Sequence, residues 1–108
     1  MTFLAVDAQK NLFTIQKSQL QFEQTLVMNR VNYLTKQMST RAQELEADDL
    51  DCDEDYTYLC LQQEEEYLET RQDSLDSQIS LMENEISSLK NLVNNNIKSS
   101  CQLNLIGG

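Results

Sequence analysis

The sequence predicts an all-α fold: a long antiparallel two-helix hairpin, coiled-coil-like, that oligomerises into a larger helical bundle. Three observations carry this reading. The chain contains no proline, and its only two glycines are Gly107 and Gly108; turn-rich β folds depend on both residue types for their backbone angles. Most other positions hold good helix formers such as Leu, Gln, Glu and Lys. Apolar residues recur at heptad spacing in two segments, one on each side of the acidic stretch ADDLDCDEDY at 47–56. At 108 residues the chain is read as one domain. It comprises helix 1 over about 5–47, an acidic turn over about 48–53, helix 2 over about 54–98 and an apolar tail over 99–108.

Helix 1 is apolar on two sides. Phe13, Leu20, Val27 and Leu34 recur at every seventh residue, and Val31, Met38 and Leu45 follow four residues behind. This stripe is assigned to the hairpin seam. A second stripe holds Leu12, Ile15, Phe22, Leu26 and Tyr33. At about 100° per residue it lies roughly 140° around the helix from the first, too far to share one narrow seam. It is the candidate face for self-association or for a partner. The alternative cover is the chain's own end, MTFLAV or QLNLIGG.

The turn segment places Asp49, Asp51, Asp53 and Asp55 at alternate positions. A calcium loop of the EF-hand kind needs Gly at its sixth position and a bidentate Glu at its twelfth. Counting from Asp49 gives Glu54 and Cys60 there; counting from Asp53 gives Tyr58 and Glu64. No register supplies both, so a solvated acidic turn is expected and no metal site. A weakly Ca²⁺-responsive hairpin is the remote alternative. Mutual repulsion and the poor helix propensity of Asp predict a break here. With no Gly or Pro in the turn, the competing geometry is one uninterrupted helix of roughly 90 residues.

Helix 2 carries Leu61, Leu68, Leu75, Met82 and Leu89 at heptad spacing, followed four residues later by Glu65, Gln72, Ile79, Ile86 and Val93. Leu61, Leu68, Leu75, Ile79, Met82, Ile86, Leu89 and Val93 are therefore its seam residues, with the seam thinning toward the acidic end. Three consecutive Asn at 94–96 lower the propensity near the expected end of the helix. The tail SSCQLNLIGG reads as a short strand, or as a frayed or partner-docked extension.

The net charge of −10 is unevenly spread. Residues 1–43 balance at +3, residues 44–76 hold fourteen carboxylates against Arg71, and residues 77–108 are neutral. An antiparallel hairpin lays the basic helix along the acidic one, with Lys17 near residue 83, Arg30 near residue 70, and Arg30 and Lys36 within reach of Glu64, Glu65, Glu66 and Glu69. Such pairs select orientation more than they stabilise. The dispersed cations argue against nucleic-acid binding, which needs a dense basic stripe.

No signal-peptide pattern opens the chain and no apolar run reaches the roughly 20 residues of a membrane span. Cys52, Cys60 and Cys101 follow no metal-ligand spacing and read as free thiols. A cytoplasmic location, or export by a signal-less route, is expected. The chain has no His, no Gly-rich phosphate loop and no nucleophile elbow, so no set of catalytic roles assembles and no cofactor is expected.

What remains is a non-enzymatic structural or interaction protein acting through helix–helix association. It is read as a self-assembling scaffold or a secretion- or filament-type subunit. The alternative is an adaptor or chaperone that binds a basic amphipathic helix of a partner protein. In size, acidity and helix-turn-helix plan the chain is similar to the hairpin proteins exported by mycobacterial-type secretion systems. Their Trp-x-Gly turn is replaced by LDCDEDY at 50–56. Type III needle subunits are also hairpins, but their proline-containing turn is missing. These likenesses are architectural, and no residue role is carried over from them.

Overall fold

The structure is a computed structural model that describes residues 2–107, apart from the side chains of Phe3, Asn96 and residues 99–107. Two long helices pack against each other: α1 spans Phe3–Ala47 and α2 spans Tyr56–Gly107, joined by a short 3-10 turn at Cys52–Glu54. No strand occurs among the described residues. The antiparallel hairpin is the architecture, and the single uninterrupted helix is not.

Each boundary has a local cause. Thr2 caps α1: its hydroxyl accepts from the Ala5 N–H at 3.3 Å, and its carbonyl accepts from Val6 at 3.1 Å. At the other end of α1, Asp49 takes a left-handed conformation with φ 57°. Leu50 N–H then reaches back to the Leu45 carbonyl at 2.8 Å, and Asp49 N–H to the Glu46 carbonyl at 3.1 Å. These two bonds satisfy carbonyls the helix would otherwise strand, a closure usually built on Gly. Asp serves here because its short polar side chain tolerates that backbone region better than most residues.

Asp51 then caps the 3-10 turn by accepting from Asp53 N–H at 3.0 Å. Asp55 caps α2 by accepting from Tyr58 N–H at 2.8 Å. Repulsion among the aspartates is thus only part of the break. Three of the four alternating aspartates have separate backbone jobs: Asp49 takes the left-handed position that Gly usually fills, and Asp51 and Asp55 cap with their carboxylates.

The helix α2 continues to Gly107 and does not stop near 98. Asn lowers propensity by only a few tenths of a kcal/mol per residue, and no Gly or Pro follows until Gly107. The strand or extended tail expected over 99–108 is therefore replaced by helical backbone through Gly107. The tail's side chains and Gly108 lie outside the described residues.

The chain falls into two units, each built from both helices: residues up to Gln21 with those from Ser77 onward, and Phe22–Asp76. In the first unit the core is Val6, Leu89 and Val93, with Phe13 packed against it. In the second, Val27, Leu34, Leu45 and Leu75 are buried, Leu34 and Leu75 at 0% exposure. All fifteen positions assigned to the seam are buried or half-buried. Val27, Leu34, Leu45, Leu75, Ile79, Leu89 and Val93 are buried, and Phe13, Leu20, Val31, Met38, Leu61, Leu68, Met82 and Ile86 are half-buried. Val6 extends the stripe one heptad before Phe13, a position the sequence reading left out.

Candidate interaction surfaces

Helical spacing places Leu12, Ile15, Phe22, Leu26 and Tyr33 on the side of α1 away from the seam. All five are 50–67% exposed, with Phe22 the most open. Leu12 and Ile15 belong to the first unit, and Phe22, Leu26 and Tyr33 to the second. The alternative cover, MTFLAV or QLNLIGG, has most of its side chains outside the described residues; where their backbone is described, residues 3–6 and 102–107 continue their own helices, and the five side chains of the stripe are exposed. Tyr33 is partly preorganised, because the Arg30 guanidinium sits 5.1 Å from its ring centroid, a favourable cation–π distance.

Arg30 is fixed in turn by Glu64, with Nε to Oε1 at 2.9 Å and Nη2 to Oε2 at 3.2 Å. That hydrogen bonding raises the Arg30 pKa above its ordinary value. In the second unit Arg71 also pairs with Glu23 at 2.7 Å, and Gln24 donates to Asp76. Thr35 donates to Glu65 at 2.9 Å. The first unit has the Lys17–Glu83 pair at 3.4 Å, at the level the antiparallel register predicts.

Arg30 meets Glu64, one of the carboxylates the sequence places within its reach, while Lys36 makes no ion pair among the described residues. Arg41 holds the turn end through Asp55, a pair the sequence reading did not include. These bridges lie on partly exposed flanks and fix register more than they supply stability.

The turn end has the most shifted carboxyl. Asp55, with 15% of its side chain exposed, receives Arg41 Nη2 at 2.7 Å and Nε at 3.0 Å. Those hydrogen bonds, followed by the one from Tyr58 N–H, lower its pKa to about 2. The same pair raises Arg41. One carboxylate therefore both caps α2 and ties it to α1. The hollow beside it, about 150 Å³, is lined by Leu45, Leu50, Asp51, Glu54 and Asp55.

Among the described residues no group of three or more Cys, Asp and Glu is placed to hold a metal ion. No described helix is long and apolar enough to cross a membrane. Cys52 is half-buried and Cys60 exposed, both as free thiols.

The sequence reading missed one more surface. Tyr56, Leu59 and Tyr67 are exposed on α2 within the second unit, Tyr56 at 81%. Their spacing of three and eight was a helical-face signal, obscured because attention to heptads follows only the seam. Compared with family models, curated proteins and solved structures, the chain matches none.

Proposed function

We propose that this protein is a non-enzymatic structural subunit that works through helix–helix association, self-assembling through the outer face of α1 as a scaffold or a secretion- or filament-type component. One observation carries the reading. The hairpin uses every seam position and leaves a second apolar stripe of the same helix, Leu12, Ile15, Phe22, Leu26 and Tyr33, in solvent. Scattered exposed apolar residues are ordinary, but an aligned series of large ones marks an interaction surface. A helix apolar on two sides is satisfied when both sides are packed, as in a bundle built from hairpins.

The magnitude is adequate for association. Phe22 and Leu26 are 67% and 52% exposed, so completing their burial gains about half the 1.5–3 kcal/mol of a full transfer for each. A symmetric contact counts each residue twice. Changing both to Gln, which keeps helix propensity, therefore weakens self-association on the order of 10³-fold. Light scattering at high concentration reads this. The wild type is expected as an oligomer and the double variant as a folded monomer; a wild type that stays monomeric throughout abandons the proposal.

A second reading has its own support. Tyr56 and Tyr67 are exposed on α2, and Glu66, Glu69 and Asp73, exposed on the same helix, make no ion pair among the described residues. An acidic surface with tyrosine anchors suits a basic amphipathic helix of a partner, the adaptor role. A stoichiometric partner co-purifying with a monomeric hairpin favours this reading over self-assembly.

A further inference from the structure

The acidic start of α2 carries an outward face that lies wholly within the unit Phe22–Asp76. Tyr56, Cys60, Gln63, Tyr67 and Thr70 follow one another at spacings of four, three, four and three residues, and all are exposed. At about 100° per residue they form one row, roughly 120° around the helix from the seam residues Leu61 and Leu68. The row runs about 21 Å along the helix. Tyr56 and Tyr67 are its large members, 81% and 69% exposed. A hollow of about 440 Å³ is lined by Cys60, Gln63, Glu64 and Tyr67.

The two flanks of the row differ in charge. On one flank the charges are answered from α1: Glu64 meets Arg30 at 2.9 Å and Arg71 meets Glu23 at 2.7 Å. Glu64 therefore brings no open charge to the hollow. On the other flank Leu59, Glu66 and Asp73 recur at every seventh residue, all exposed. Neither Glu66 nor Asp73 makes an ion pair among the described residues. The face is thus aromatic along its middle and openly anionic along one edge.

We propose that this face binds a cationic amphipathic helix of another protein. The partner's apolar row lies along residues 56–67, one apolar side chain fills the hollow, and Lys or Arg residues two turns apart meet Glu66 and Asp73. This rests on the adaptor reading above and gives it a site.

Three features select that occupant. The unit holds fifteen carboxylates against Arg30, Lys36, Arg41 and Arg71, a balance of −11. A second copy offering the same face is repelled by it, and so are phosphate-bearing polymers. A straight row on one helix receives the rows of another helix, whereas an extended segment finds no strand edge to join among the described residues. Tyrosine rings anchor apolar side chains and also attract cations to their faces, so a basic partner gains from the row as well as from its edge.

The test uses the full-length chain and a synthetic helical peptide of about eighteen residues, enough to span the row. The peptide carries Leu at spacings of three and four, Lys on the flanks of that row, and a single Trp. The chain has no Trp, so the fluorescence anisotropy of the peptide reads binding without background. A control peptide of the same composition carries its Lys opposite the Leu row. One peptide per chain is expected to bind, weakened at least about tenfold by Tyr67→Ala and likewise by Glu66→Gln with Asp73→Asn. Glu85→Gln, at an exposed carboxylate of the other unit, leaves binding unchanged. Circular dichroism checks that each variant stays helical. The bound peptide also slows maleimide alkylation of Cys60 in a chain carrying Cys52→Ser and Cys101→Ser. Binding that ignores the α2 changes, or leaves Cys60 equally reactive, lies elsewhere; it overturns the site while the adaptor reading stands. Equal affinity for the control peptide shows charge attraction without a docked row and overturns the proposal as well. No binding of either peptide overturns the proposal and the adaptor reading together.

Discussion

The division of α1 into a working seam and a spare face is tested by a matched pair of substitutions. Leu75→Ala removes a side chain at 0% exposure from the second unit's core, and Leu26→Ala removes one already 52% exposed. Leu→Ala in a core costs about 2–5 kcal/mol, with the larger values where the surroundings cannot collapse. The seam of a two-helix hairpin has solvent along both flanks, so Leu75→Ala falls at the low end, about 2–3 kcal/mol. At roughly 4 °C per kcal/mol for a chain of this length, that lowers Tm by about 8–12 °C. Leu26→Ala exchanges one strong helix former for another at a solvated position and stays within about 0.5 kcal/mol, or about 2 °C. The assay is thermal unfolding followed by far-UV circular dichroism. It is run at low protein concentration, where association contributes little to apparent stability. Equal shifts for the two variants, or a neutral Leu75→Ala, refute the assignment of the seam as what holds the helices together.

Other consequences concern the turn. Asp49→Gly relieves a left-handed residue of its Cβ contact and changes stability by about 0–1 kcal/mol in the favourable direction; Asp49→Val lowers stability by more than about 1 kcal/mol, and urea unfolding measures both. Because the Asp55 pKa is depressed to about 2, its contribution is complete above the ordinary carboxyl value of 3.8. It is lost as pH falls from there through about 2. Asp55→Asn flattens stability against pH in that window, and ¹³C titration of the wild-type carboxyl reads the midpoint directly. Calcium at about 1 mM, the weak end of natural calcium sites, produces no binding heat in calorimetry; a stoichiometric heat reinstates the acidic turn as a metal loop.

The two-helix plan was legible in the sequence because hydrophobic burial is written periodically. Residues such as Leu34 and Leu75 lie at the heptad positions that geometry buries, and the open stripe lies where 100° per residue puts it. Charge asymmetry likewise gave the antiparallel register, seen in Lys17 against Glu83. Individual ion pairs were less legible. Arg30 reaches Glu64 as the register allows, but Lys36 makes no ion pair among the described residues, because a long side chain with several carboxylates in reach is not tied to any one of them; the Arg41–Asp55 pair at the turn was not expected.

The mechanism of the turn was hidden for a different reason. Capping depends on whether one aspartate adopts φ 57° and whether another's oxygens point back at its own helix. Neither is periodic. A signal did exist in Asp55 standing immediately before a periodic segment, a favoured helix-start residue in that place. The end of α2 escaped because weak propensity penalties were weighed as a stop signal, whereas a helix stops firmly only at Gly, Pro or a cap.

If the protein self-assembles as proposed, the outer face of α1 is covered by another helix. Sedimentation equilibrium of the wild-type chain across a wide concentration range measures this most directly, because mass is independent of shape. A concentration-dependent rise from one chain to an oligomer is expected, abolished by the Phe22→Gln, Leu26→Gln double change. A single-chain mass at every concentration, from a sample fully helical by circular dichroism and free of any co-purified partner, contradicts it.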